Sequence, residues 1–232
     1  MSERINTLFT QVSTHYDFMN HFLSFGIDKN WREETIKLSI AKLSSIKNPI
    51  ILDIATGTGD LAILLSRELE KSRKDYKIIA MDFNKEMLEL GRKKSVMMNC
   101  KKISFEVSDA IKTKYPENSF DAAISAFALR NLDDLNAFAK ELKRILKKNG
   151  SFIFVDMAVP DEKPKEFFFK TYSIFMRFVG FFVDNEAYKW LVSSISKFDK
   201  KNFIKILKKT GFKNIQYLEL KTGVAYIISG NK

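Results

Sequence analysis

The run Ile50-Ile-Leu-Asp-Ile-Ala-Thr-Gly-Thr-Gly-Asp-Leu-Ala62 constrains this chain more than any other stretch, because it spells a buried strand, a glycine-bearing turn and a helix start in immediate succession. Apolar residues broken only by Asp53, set between a proline and a glycine cluster, predict a strand over 50–54. Gly57 and Gly59 let the backbone turn sharply and approach a ligand without a Cβ in the way. Asp60 is placed to cap the helix that follows to about residue 70. Such a turn is where an α/β protein holds a nucleoside.

Two ligand classes use this turn and want different things from it. A dinucleotide brings a pyrophosphate, which favours G-x-G-x-x-G and an uncluttered helix N-terminus. The spacing Gly57-x-Gly59-x-x-Ala62 is an allowed variant and decides little, whereas Asp53 and Asp60 place carboxylates where a pyrophosphate is repelled. S-adenosylmethionine carries a sulfonium and an amino group but no phosphate, so acidic flanks suit it. The next strand, Lys77-Ile-Ile-Ala-Met-Asp82, ends in a carboxylate placed to accept both ribose hydroxyls of either cofactor. A third strand, 103–107, leads to Asp109-Ala110, where the acid can accept from an adenine amino group. Asp53 has a second reading, in which it bonds backbone amides and orients the turn.

The alternation continues as strand 50–54, helix 60–70, strand 77–81, helix 84–97, strands 103–107 and 121–126, helix 133–147 and strand 151–156. Lys147-Lys-Asn149-Gly150 reads as a helix stop with glycine in the left-handed position. Helix 199–209 then ends at Gly211, and strands 213–219 and 224–229, joined by Thr222-Gly223, read as a hairpin. The expected fold is therefore α/β and Rossmann-like, a seven-stranded, mostly parallel sheet with right-handed crossovers and a C-terminal antiparallel hairpin. One domain over residues 1–232 accounts for the length, with a helical region over 1–45 and a helical insertion over 160–198.

Composition narrows the function classes. No run of about 18 uncharged apolar residues is present to span a bilayer, and the N-terminus lacks the layout of a signal peptide. A single cysteine, Cys100, excludes an internal disulfide and points to a reducing, cytoplasmic compartment. With two histidines besides, the expected metal content is none. The net charge of +11 raises nucleic acid or an anionic membrane as a partner. The excess is almost all lysine, however, 31 Lys against 8 Arg, and sits at helix ends, which favours a solvated surface over nucleic-acid recognition.

Six segments together resemble the ubiquinone/menaquinone biosynthesis methyltransferases, a class I S-adenosylmethionine-dependent family. They are Tyr16-Asp-Phe-Met19-Asn20 with Leu23 to Gly26 and Trp31; Asp53 to Asp60; Asp82-Phe-Asn84-Lys-Glu-Met87-Leu88 with Gly91 and Lys94; Phe127-Ala-Leu-Arg130-Asn131; Tyr188-x-x-Leu191-x-x-Ser194-Ile195; and Leu220-x-Thr222-Gly223-Val-Ala225. The resemblance spans roughly residues 9 to 225. Two departures are Ala126, where some members carry Ser, and a C-terminus without the histidine common in bacterial members.

What the resemblance implies is C-methylation of a prenylated quinol ring with S-adenosylmethionine as donor, Asp53, Gly57, Thr58, Gly59, Asp82, Asp109 and Ala110 contacting the donor. Deprotonating a phenolic hydroxyl pushes charge onto the ortho carbon, so an oxyanion stabiliser and a proton route are needed. Arg130 is the candidate stabiliser, with Asn131 and Tyr16 bonding the ring oxygens; Arg130 can alternatively pair with a carboxylate such as Asp133, and His15 has a suitable pKa. Between Phe167 and Val183, seven of 17 residues are Phe. That composition fits a lid over an isoprenoid tail, a patch at the inner face of the membrane, or a homodimer seam. A methyltransferase acting on another lipid or aromatic compound, and a basic RNA- or membrane-binding protein retaining the fold, are the competing readings.

Overall fold

The computed structural model describes residues 10, 26–72, 75–167, 169, 171, 185–221 and 223–232. Helix α1 (Ile27–Leu43) leads into β1 (Ile50–Ile54), α2 (Asp60–Lys71), β2 (Lys77–Asp82), α3 (Lys85–Met97), β3 (Ile103–Val107) and β4 (Phe120–Ala126). A 3₁₀ turn (Leu129–Asn131), α4 (Leu135–Ile145), β5 (Leu146–Met157), α5 (Asn185–Lys197), α6 (Lys200–Thr210), β6 (Lys213–Glu219) and β7 (Ala225–Asn231) complete the order.

The seven strands form one sheet in the order β3-β2-β1-β4-β5-β7-β6, with β7 antiparallel to both neighbours and every other pairing parallel. The order reverses between β1 and β4, which opens a crevice at their carboxyl ends.

Period-two alternation assigns each strand residue to one of two cores. Ile51, Ile78, Ala80, Ile124, Ile153 and Val155 face Trp31, Ile36 and Leu43 of α1 and Leu61, Leu65 and Leu69 of α2. Leu52, Ile54, Ile79, Met81, Phe152 and Phe154 face Phe138, Leu142 and Ile145 of α4 and Phe203 and Leu207 of α6. Both faces are covered, so β1 reads as a near-continuous apolar run. Each fully buried Leu, Ile or Phe contributes about 1.5–3 kcal/mol.

Local chemistry sets the helix starts. Asp134 accepts from the amides of Asn136 and Ala137 at 2.8 and 2.9 Å, Asn84 from Met87 N at 2.9 Å, and Asp199 from Asn202 N at 2.9 Å. Asp60 is not the cap of α2: Gly59, at φ 81°, holds that position, and Asp60 is the first helical residue. The expected stop at 147–150 also differs. Helix α4 ends at Ile145, β5 begins at Leu146, and the left-handed residue is Asn149 (φ 64°) rather than Gly150. Asparagine tolerates that region, while Gly150 is required by closeness, since a Cβ there would lie 2.9 Å from the Lys147 carbonyl oxygen.

The C-terminal hairpin pairs Glu219 with Tyr226, and Gly223 takes a positive φ of 74° in its turn. Tyr16, His15 and most of the Phe-rich stretch lie outside the described residues. Thr10 is described, and its hydroxyl accepts from Asn84 Nδ2 at 2.7 Å, which places that point of the N-terminal region against the cap of α3.

Candidate active site

The crevice at the ends of β1, β2 and β4 holds a cleft of two contiguous lobes that share Ala55, Gly57, Ala126 and Phe127. The larger, about 450 Å³, is completed by Asp82, Asn84, Met87, Ala128, Asn131 and Leu132. The smaller, about 360 Å³, is walled by Arg32, Asp53, Thr56, Thr58, Asp60 and Leu61.

Backbone strain is concentrated at this crevice. Ala55 (φ 52°) and Phe127 (φ 61°) close β1 and β4 in the left-handed region, which non-glycine residues occupy at a cost of about 1–3 kcal/mol. Gly57 (φ 56°) sits where an added Cβ would meet nothing within 4 Å, so its backbone borders open cleft. Gly91 serves closeness instead: a Cβ there would lie 2.6 Å from the Phe105 ring and 3.2 Å from the Thr58 carbonyl carbon.

The acids of the turn are already at work on the backbone. Asp53 Oδ2 accepts from Thr56 Oγ1 at 2.6 Å and from Ala62 N at 3.1 Å, the amide-bonding role anticipated for it. Its other oxygen, Oδ1, is buried with no partner among the described residues. Desolvation pushes the Asp53 carboxyl up to about 7, against the lowering effect of the Thr56 and Ala62 bonds. Asp82 Oδ2 accepts from Gly57 N at 2.8 Å and Oδ1 from Asn84 N at 2.9 Å, which ties the ends of β1 and β2 together. Its carboxyl too is raised, by burial. Each carboxylate oxygen offers two acceptor sites, so one bond from an amide does not saturate it. Thr58 accepts from Lys94 Nζ at 3.0 Å, and the same ammonium pairs with Asp60 at 2.6 Å.

Asn131 reaches the larger lobe from the 3₁₀ turn, and its Oδ1 is a second buried acceptor without a partner among the described residues. Arg130 does not line the cleft. Its side chain, 3% exposed, pairs with the fully buried Asp156 of β5 at 2.5 Å, donates to the Phe127 carbonyl at 2.9 Å, and lies 6.0 Å from the Trp190 ring of α5. The carboxylate it meets is therefore Asp156 and not the sequence neighbour Asp133, because β5 runs beneath the turn. Asp109 and Ala110 are half-buried and off the cleft wall: Asp109 Oδ1 accepts from Ile111 N at 3.1 Å, and Ala110 packs on the second core.

The arrangement fits S-adenosylmethionine better than a dinucleotide. Two buried acceptors await donors, an open glycine backbone borders the cleft, and Asp60 occupies the helix N-terminus a pyrophosphate would need. No group of His, Cys, Asp and Glu among the described residues could hold a metal ion. The sequence profile of the ubiE/COQ5 methyltransferase family matches residues 1–232.

The chain belongs to the ubiE/COQ5 methyltransferase family.

This ubiE/COQ5 member is an S-adenosylmethionine-dependent methyltransferase. It is 35% identical to a ubiquinone/menaquinone biosynthesis C-methyltransferase UbiE of Rickettsia akari, over 98% of this chain and 92% of that protein. A demethylmenaquinone methyltransferase of Bacteroides fragilis is 33% identical, over 100% of this chain and 93% of that one. In fold it resembles an S-adenosylmethionine-dependent methyltransferase from Thermotoga maritima, with a TM-score of 0.64 at 18% identity over 97% and 99% of the two chains. Sequence reasoning assigned no role to Arg32, Met87, Leu132 or Asp156. Met87 carried a signal as a member of the segment that begins at Asp82, and Arg32 as the residue after Trp31 of the first resembling segment.

Proposed function

We propose that this methyltransferase acts on a ring carbon of a prenylated quinol, a reading supported by its similarity to a ubiquinone/menaquinone biosynthesis C-methyltransferase and a demethylmenaquinone methyltransferase. The observation that carries the reading is the placement of Asn131, with its unpartnered Oδ1, on the wall of the cleft beside the acid-flanked glycine turn. When bound, the donor supplies a methyl group on a positively charged sulfur, ready for in-line attack by carbon. Asp82 is assigned to the ribose hydroxyls, Thr58 and the Gly57 and Gly59 backbone to the turn side of the donor, and Asp53 Oδ1 to its ammonium.

Asn131 is assigned to the ring oxygens of the acceptor: its Oδ1 can accept from a ring hydroxyl, and the Nδ2 proton not directed at the Phe127 carbonyl can donate to the phenolate whose charge makes the ortho carbon nucleophilic. Arg130 is assigned as a positioning residue, holding the 127–131 turn through Asp156 and the Phe127 carbonyl. Its charge lies beneath the turn, where it favours an anionic acceptor at longer range. Tyr16 keeps its assignment as a second ring-oxygen contact on the strength of the resemblance alone, and Asp109 and Ala110 theirs as adenine contacts.

One methyltransferase domain, with the Phe-rich insertion meeting the isoprenoid tail at the inner face of the membrane, completes the proposal. No helix among the described residues is long and apolar enough to cross a membrane. Calorimetry with S-adenosylmethionine and with NAD, followed by labelled methyl transfer to a demethylated menaquinol analogue, tests the reading. Transfer to ring carbon supports it; donor binding with no transfer to any prenylated quinol refutes the acceptor assignment. Flotation with anionic against neutral vesicles tests the membrane assignment, which requires the anionic set to retain more protein.

A further inference from the structure

The smaller lobe contains an arginine that the family chemistry leaves without a task. Arg32 projects from α1, a helix that otherwise gives Trp31, Ile36 and Leu43 to the core, and among the described residues it is the one cation on the wall of either lobe. The residue is 6% exposed, and burying a guanidinium requires compensation. Asp28, one helical turn earlier and equally buried, accepts from Nη1 and supplies it. Asp60 Oδ2 forms an ion pair with Nη2 at 3.6 Å, too long for a hydrogen bond, and the guanidinium carbon lies 5.0 Å from the centre of the Phe127 ring. The group is thus hydrogen-bonded through one nitrogen, loosely paired through the second and stacked on one face. Arginine presents five N–H donors in a planar fork, so a clamp through Nη1 leaves donors for a second carboxylate.

On the same lobe, Asp53 Oδ1 is a buried acceptor with no partner among the described residues. A guanidinium fork and an unpartnered carboxylate oxygen in one small pocket match a ligand that carries a carboxylate and an ammonium on adjacent positions, which is an α-amino acid. S-adenosylmethionine ends in such a group.

We propose that Arg32 binds the α-carboxylate of the donor, with Asp28 as the positioning residue that fixes the fork. The inference rests on the donor assignment and deepens it. It gives α1 a part in donor selection: the helix delivers the cation that tells S-adenosylmethionine from a donor-like nucleoside lacking the acid.

The test is calorimetry on the full chain with S-adenosylmethionine and with its decarboxylated analogue, in the wild type and in Arg32→Gln. A charge-assisted fork makes the wild type bind the analogue about tenfold to a hundredfold more weakly. Arg32→Gln binds S-adenosylmethionine weakly and no longer separates the two ligands. Because that variant strands Asp28, the double variant Asp28→Asn/Arg32→Gln is measured beside it and gives the same loss of discrimination. Equal binding of both ligands by the wild type overturns the proposal, as does an Arg32→Gln that weakens both by one factor, which is the signature of a merely structural arginine. Arg32→Lys, which keeps the charge and loses the fork, recovers part of the discrimination. No binding of either ligand to the wild type overturns the donor assignment itself.

Discussion

Replacing Asp53 by Asn separates the two duties of that carboxyl. The Asn carbonyl can accept from Thr56 Oγ1 and Ala62 N as Oδ2 does, so the turn keeps its bonds, while an amide NH₂ takes the place of the unpartnered Oδ1. The wild-type carboxyl is raised from 3.8 to about 7, chiefly by desolvation, so between those values the folded protein holds a proton that the unfolded chain has lost. The sign follows: this group's contribution favours the native state below pH 3.8 and is lost as pH rises through about 7. From about pH 5.5 to 8.5 the loss spans roughly 1.5 units below the pKa at about 1.4 kcal/mol each, or about 2 kcal/mol.

Urea unfolding of wild type and Asp53→Asn without donor, at both pH values, measures the difference. The variant gains about 2 kcal/mol on the wild type between the acid and alkaline measurements. The donor adds a second readout. An ammonium on Oδ1 lowers the wild-type carboxyl's pKa, so binding at about pH 6 releases part of a proton, seen as a buffer-dependent heat, and Asp53→Asn binds with less release and weaker affinity. Parallel pH profiles in the two proteins would refute the assignment of a buried, proton-holding Asp53.

Three further outcomes follow from named contacts. Asp156→Ala strands the Arg130 guanidinium, 3% exposed, and costs about 3–5 kcal/mol in urea unfolding; an unchanged midpoint would mean that the pair is not what holds the 127–131 turn. Gly91→Ala drives a Cβ to 2.6 Å from the Phe105 ring, costs about 1–3 kcal/mol, and weakens donor binding by shifting Thr58, whereas unaltered stability and affinity would show that α3 has room to spare. Asp134→Ala removes the cap of α4 and costs about 1 kcal/mol with methyl transfer per folded molecule unchanged, a result checked by thermal unfolding beside the transfer assay.

The fold was legible wherever a signal is local. Strand β1 announces itself through four apolar side chains, three of them buried, around one acid, and α6 through Asp199 at its start and Gly211 at its end. The stop after α4 was misplaced because Asn149 and Gly150 offer the same local cue, and only the approach of the Lys147 carbonyl distinguishes a glycine needed for closeness from one needed for its φ. Pairings across the sheet were out of reach. Arg130 meets Asp156 because β5 lies beside β4, at a register no local pattern encodes, and Arg32 enters the cleft because α1 packs against α2, β4 and β5.

The acids of the turn explain why the donor chemistry could be read from sequence at all. A carboxylate that did nothing but bond amides could be exchanged for Asn, whose carbonyl accepts the same bonds without the cost of burying a charge. Asp53 carries that cost, visible as a carboxyl raised to about 7, and leaves one oxygen unpartnered. A buried acceptor with no partner is destabilising by about 1–3 kcal/mol until a donor reaches it. Held beside a helix start that bears Asp60 in its first turn, such an oxygen suits a cationic ligand and disfavours a phosphate. Under the proposed assignment of Asp53 Oδ1 to the donor's ammonium, Asp rather than Asn at this strand position favours a sulfonium-bearing amino acid over a dinucleotide, and the Asp53→Asn comparison measures that choice directly.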